Sequence, residues 1–177
     1  MSLPGATLRS PVNVHSEIRD LPVERVLDHL AGLPPSDGYR VFVKPLRWRT
    51  RPHLAALTNF DDKLIQLQVP EPFFPFGEIV PYAAKRLPGK EMRFVWLTEG
   101  ITFSRPREVL RYLYLHEWMH WYLRERLGRR GAAETACERF ALRNYLRDQV
   151  TEADAGEALR RRRNGNGQGN GNGHGGY

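Results

Sequence analysis

The segment His116-Glu117-Trp118-Met119-His120 spaces two imidazoles at i and i+4, so a helix sets both on one face within reach of a single ion. In this arrangement the two histidines hold Zn²⁺, and Glu117 lies beside the open coordination position as general base for a water that attacks a carbonyl. A positioned base is typically worth roughly 10²- to 10⁴-fold in rate. Leu115, Trp118, Met119 and Trp121 give the motif an apolar setting. Two imidazoles on such a stripe are costly to bury without a partner, and a metal ion is the natural one.

A zinc hydrolase uses a third protein ligand and leaves one position for water. Cys137 is the only cysteine, which excludes an intrachain disulfide and any zinc site built on two or more thiolates. After His120 the next histidine is His174, in a Gly/Asn-rich tail that makes a poor ligand platform. Glu134 and Glu138 remain, spaced i, i+4 on the following helix. Paired acids on a helix are most often a solvated face, but these repel one another unless a cation or Arg intervenes, and a helix hairpin returns them to the motif. If the first helix ends near Leu127 and the second starts near Ala132, a rise of about 1.5 Å per residue sets His120 and Glu138 nearly level, which favours Glu138 as ligand. Tyr145, on roughly the same face as Glu138, is the candidate to stabilise an oxyanion.

The elements that must position these residues follow from local pattern. Residues 1–19 show no clear period and read as a loose arm. Asp20 resembles an N-cap and Pro22 a first helical residue, with Val23, Val26, Leu27 and Leu30 as the apolar stripe and Gly32 as the stop. Tyr39 to Lys44 reads as a strand ending at Pro45. Arg47, Arg49 and Arg51 alternate with Trp48 and Thr50, as a solvated edge or a phosphate-binding ribbon would. Leu54 to Phe60 and Lys63 to Val69 form a hairpin about Asp61-Asp62, Pro70 to Gly77 a loop, and Glu91 to Leu97 a half-buried strand. With Ser104 as N-cap, a long helix runs from Pro106 to about Leu127, burying Val109, Leu110, Leu113, Met119, Leu123 and Leu127. The break at Gly128 to Gly131 leads to a second, antiparallel helix from about Ala132 to Asp148, with Ala136, Phe140 and Ala141 inward. A weak helix follows Thr151.

At 177 residues the chain suits one domain, here residues 20–159, and its 41% hydrophobic content with four Trp, seven Tyr and eight Phe is enough for a core. No apolar run is long enough for a membrane span, and no signal sequence opens the chain, so the expectation is a cytoplasmic protein without a membrane partner. The formal charge is +7, but Arg160 to Arg163 supply four of those charges and residues 1–159 only +3. Residues 105–147 hold ten Arg against five Glu. Arginines on the wet faces of two helices explain that excess, and an acidic substrate or nucleic acid is the functional alternative. Residues 160–177 read as a disordered tail of Arg and then Gly and Asn.

The motif followed by a glutamate on a downstream helix resembles the gluzincin group of zinc metallopeptidases, and the compact layout is similar to that of the small SprT-like and ImmA-type members. The resemblance covers roughly residues 39–148, and the five-residue motif is its one highly specific part. It implies an α+β, zincin-like fold, in which a small twisted sheet packs on the motif helix and a second helix carries the third ligand. Gluzincins commonly place an acidic residue four positions beyond that ligand, where it supports a ligating His. Glu134 through Ala141 is similar to this pattern, with Glu134 as ligand and Glu138 in support. The sheet edge that binds extended peptide would then be Glu91 to Phe103. Three features depart from the family: the short interval from His120 to Glu134, Glu138 in place of Asp, and the lack of the third His of many SprT-like proteins. Peptide deformylases carry the same motif with an upstream Cys ligand, whereas Cys137 lies downstream. The implied function is zinc-dependent hydrolysis of peptide bonds in a peptide or protein substrate. The alternative is a nucleic-acid-associated binding protein with a structural or vestigial metal site.

Overall fold

Val41 and Val43 in one segment, and Ile65, Leu67 and Val69 in another, alternate with more exposed neighbours, and this period of two turns the apolar set toward one side of a sheet. The computed structural model describes residues 13–45, 55–69, 71, 81–87, 95–103, 105–131 and 133–160. In it the two segments lie in a four-stranded mixed sheet of order β1-β2-β4-β3. Its strands are β1, Val14–Ser16; β2, Arg40–Pro45; β3, Ala55–Asn59; and β4, Leu64–Val69. β2 runs parallel to both β1 and β4. The expected hairpin joins β3 to β4, with Thr58 opposite Ile65.

The arm expected to be loose over residues 1–19 is ordered in its second half, because the backbone of β1 is bonded into the sheet. Asn13 O accepts from Val41 N–H, Glu17 N–H donates to Val43 O, both at 2.8 Å, and His15 stacks on Phe42. Residues 1–12, the Arg47-Arg49-Arg51 alternation and the tail beyond Arg160 lie outside the described residues, as does the 70–77 loop apart from Glu71, and Arg105, not Ser104, takes the N-cap position of the helix that starts at Pro106.

β5, Pro81–Leu87, and β6, Val95–Thr102, pair antiparallel as a separate ribbon with register shifts between Tyr82 and Leu87. The described part of the expected Glu91 to Phe103 edge, β6, is therefore not a strand of the four-stranded sheet on the motif helix. Among the described residues β6 pairs only with β5, and the edge strand beside that helix is β3.

The helices are α1, Val23–Leu30; α2, Pro106–Trp121; α3, Glu134–Asn144; and α4, Glu152–Arg160. Pro22, not Asp20, takes the N-cap position of α1. α2 is the centre of the molecule, in contact with α1, α3, β3 and β4. Tyr114 Oη and Trp118 Nε1 fasten it to the turn after α1 by donating to Pro34 O and Pro35 O at 2.8 and 3.0 Å. A π-helical turn, Tyr122–Arg126, extends α2, and Leu127 N–H donates to Tyr122 O five residues back. The wider turn carries Leu127 off the buried stripe to 40% exposure, against expectation. None of the described helices is long and apolar enough to cross a membrane.

Arg111 of α2 is 1% exposed and acts as a hub for chain ends. It donates to His29 O and Ala31 O at the end of α1, and to Tyr145 O, Arg147 O and Asp148 O after α3. These carbonyls lie at or beyond helix C-termini and have no intrahelical donor, so a buried cation answers both their valence and the helix dipoles. Burial pushes the guanidinium down to about 10, which leaves it charged at neutral pH. At the same junction Gly32 has φ +79°, and a Cβ there would collide with Asp148 O. Arg111→Met, which keeps the stem but strands the carbonyls, is expected to cost about 3 kcal/mol or more in urea denaturation. An unchanged midpoint would remove Arg111 from this role.

Candidate metal centre

From Arg111 to Trp121 every side chain is buried except His116 and His120. The helix thus has one open stripe, and the i, i+4 spacing puts both imidazoles on it, with ring centroids 5.2 Å apart. α3 packs across this stripe and begins at Glu134 rather than near Ala132. Glu134 accordingly occupies its first turn, and its carboxylate bridges the two histidines. Oε2 lies 3.1 Å from His116 Nε2 and Oε1 lies 3.2 Å from His120 Nε2. One potential ligand atom from each residue lies within 4.8 Å of the other two, close enough for the three to hold one metal ion.

Glu138, the rival third ligand, is not part of that set. The expectation that it stands level with His120 assumed a tight hairpin of two straight helices, whereas in the structure the first turn of α3, at Glu134, lies against both histidines. Glu138 still adjoins the site. Burial raises its carboxyl pKa, the His116 charge opposes that rise, and Glu134 reinforces it. Its Oε1 and His116 Nδ1 are both buried without a hydrogen-bond partner. Each is an unsatisfied polar atom at the edge of the cluster.

The electrostatics suit a cation. Contact with His116, then with His120, holds the Glu134 carboxyl well below the usual carboxylate range, against the effect of burial. Burial alone would lower the His120 imidazole, but Glu134 and the Glu117 charge outweigh it and raise its pKa. The donor set, two imidazole nitrogens and one ionised carboxylate, matches a three-ligand zinc site. Burial pushes the Cys137 thiol far up, helped by Glu134 and Glu117, and its sulfur is not among the atoms that converge.

Glu117 is 6% exposed. Its carboxylate accepts a 2.7 Å hydrogen bond from Thr58 Oγ1 of β3, whose hydroxyl also lies 3.1 Å from the Glu117 backbone carbonyl. Sequence reasoning misses Thr58. The available signal is register: Thr58 stands opposite the buried Ile65 and is a polar residue at an inward position of β3. Tyr145 follows α3 and packs edge-on against Phe103 and Tyr112, while Tyr112 lies 6.4 Å from the His116 ring. It is one ring removed from the cluster, and burial raises the pKa of its phenol.

Comparison with protein-family models, with curated proteins and with solved structures finds no match to this chain. Glu134→Ala is expected to weaken zinc binding more than Glu138→Ala, whose loss is expected near the 10- to 100-fold typical of residues that orient a ligand, or about that range. Zinc competition titrations on both variants decide it, and the reverse order would make Glu138 the ligand.

Proposed function

We propose that the chain is a zinc-dependent metallopeptidase with a zincin-like arrangement of sheet and helices. The observation that carries this reading is the convergence of His116, His120 and Glu134 within 4.8 Å on the one open stripe of a buried helix that also bears Glu117. The three residues fit Zn²⁺ in number and chemistry. Bound there, zinc would lower the pKa of a water to about 7 and polarise a substrate carbonyl.

The protein groups divide the remaining work. Glu117 takes the proton from the attacking water and returns it to the leaving amine. Glu138 is the candidate acceptor for His116 Nδ1: a hydrogen bond between these two unpartnered atoms would satisfy both and fix the tautomer that leaves Nε2 free for the metal. Tyr145 is the candidate donor to the oxyanion, with a phenol kept protonated. β3 lies against α2 and, among the described residues, pairs only with β4, so its outer edge offers backbone groups to an extended peptide or protein chain. The lone protonated thiol of Cys137 is compatible with work in the reducing cytoplasm.

Glu117→Gln deletes the base and no ligand. It is expected to retain zinc and thermal stability while cleavage of a quenched-fluorescent peptide library falls by about 100-fold or more. A variant that cleaves as well as the wild type would contradict the mechanism.

A further inference from the structure

Outside the three ligands, the residue most intimately joined to the site is Thr58, on a different element and with no motif to announce it. It is 9% exposed, and its bond to the Glu117 carboxylate crosses from sheet to helix. A buried carboxylate oxygen without a donor is costly, so this hydroxyl selects the Glu117 position that it can reach. The second acceptor within its range, the Glu117 backbone carbonyl at 3.1 Å, ties the hydroxyl to the same residue by side chain and main chain alike.

The strand that presents Thr58 is itself fastened. In the turn that follows, Asn59 Oδ1 accepts from Asp61 N–H and Asp62 N–H, and Asn59 Nδ2 donates to Asp62 at 2.7 Å. Phe60 packs against Tyr39 and lies beneath the Arg124 guanidinium, 4.1 Å from its centroid. Tyr39 Oη in turn donates to Glu125 at 2.9 Å. Both Arg124 and Glu125 belong to the π-helical turn that follows His120. The hairpin tip is therefore clamped to the far end of the metal-bearing helix, and Thr58 is held at a set height against Glu117.

Building on the peptidase reading, we propose that Thr58 is a positioning residue, which holds the Glu117 carboxylate where it meets the attacking water. It touches neither metal ligand nor substrate. A purely structural threonine would act through packing, which valine reproduces in shape. Positioning acts through the hydroxyl, which serine retains.

The test compares Thr58→Val, Thr58→Ser and Glu117→Gln with the wild type, all zinc-loaded. Thr58→Val is expected to keep zinc affinity and thermal stability near wild type, to lower kcat by about 10- to 100-fold on the peptide library with little change in KM, and to be rescued largely by Thr58→Ser. Crystals of wild type and Thr58→Val supply a readout independent of turnover: the Glu117 carboxylate should occupy one position beside Thr58 and leave it in the valine variant. An unmoved carboxylate, or a valine variant with wild-type kcat, would overturn the proposal, as would a serine variant no better than valine. If the wild type itself cleaves nothing, the peptidase reading falls, and the carboxylate positions alone decide whether Thr58 orients Glu117.

Discussion

A helix packed on nearly all sides can present chemistry only along the stripe it leaves open, and from Arg111 to Trp121 of α2 that stripe consists of His116 and His120. The remainder of the molecule follows from having to bury the other faces. α1, β3 and β4 pack on α2, and the sheet and α1 share with it one buried core that includes Val41, Val43, Ile65, Leu67, Val26 and Leu30. α3 closes over the stripe and lays the Glu134 carboxylate between the two imidazoles. Polar groups brought together in this way cost free energy unless something satisfies them, and these three pair with one another and lie close enough to hold a metal ion.

Two other buried polar features set the frame around that site. Arg111 gathers carbonyls from the ends of α1 and α3 and so fixes how α3 meets α2. Thr58 reaches across from β3 to the residue between the ligands and the sheet. Neither group is a ligand, yet each holds in register an element that the site requires. Glu117 is thus supported from the sheet and Glu134 from the helix hairpin.

Much of this was legible in the sequence where a strong local period carried it. The i, i+4 histidines, the alternating β2 and β4, and the Asp61-Asp62 hairpin needed no tertiary knowledge. What escaped depends on partners distant in the chain. β1 has three residues and exists because β2 offers it an edge, so no run of its own announces it. Leu127 follows the helical period in sequence but leaves the stripe because the last turn widens. The choice between Glu134 and Glu138 hung on how α3 packs across α2, which local pattern does not fix. Matching levels along an assumed tight hairpin favoured Glu138, and the family-like spacing selected Glu134, the residue that meets both histidines in the structure. Thr58 is ordinary in sequence and acquires its meaning only from the residue it faces.

The central claim is that His116, His120 and Glu134 hold one zinc ion. Its most direct test is metal analysis of protein purified without added metal, joined to zinc K-edge absorption spectroscopy. The account predicts about one zinc per chain, with a first shell of two imidazole nitrogens at about 2.0–2.1 Å and carboxylate or water oxygens at about 2.0–2.2 Å and no sulfur. Protein that carries no zinc, takes up none, and is as stable as its His116→Ala variant would contradict it.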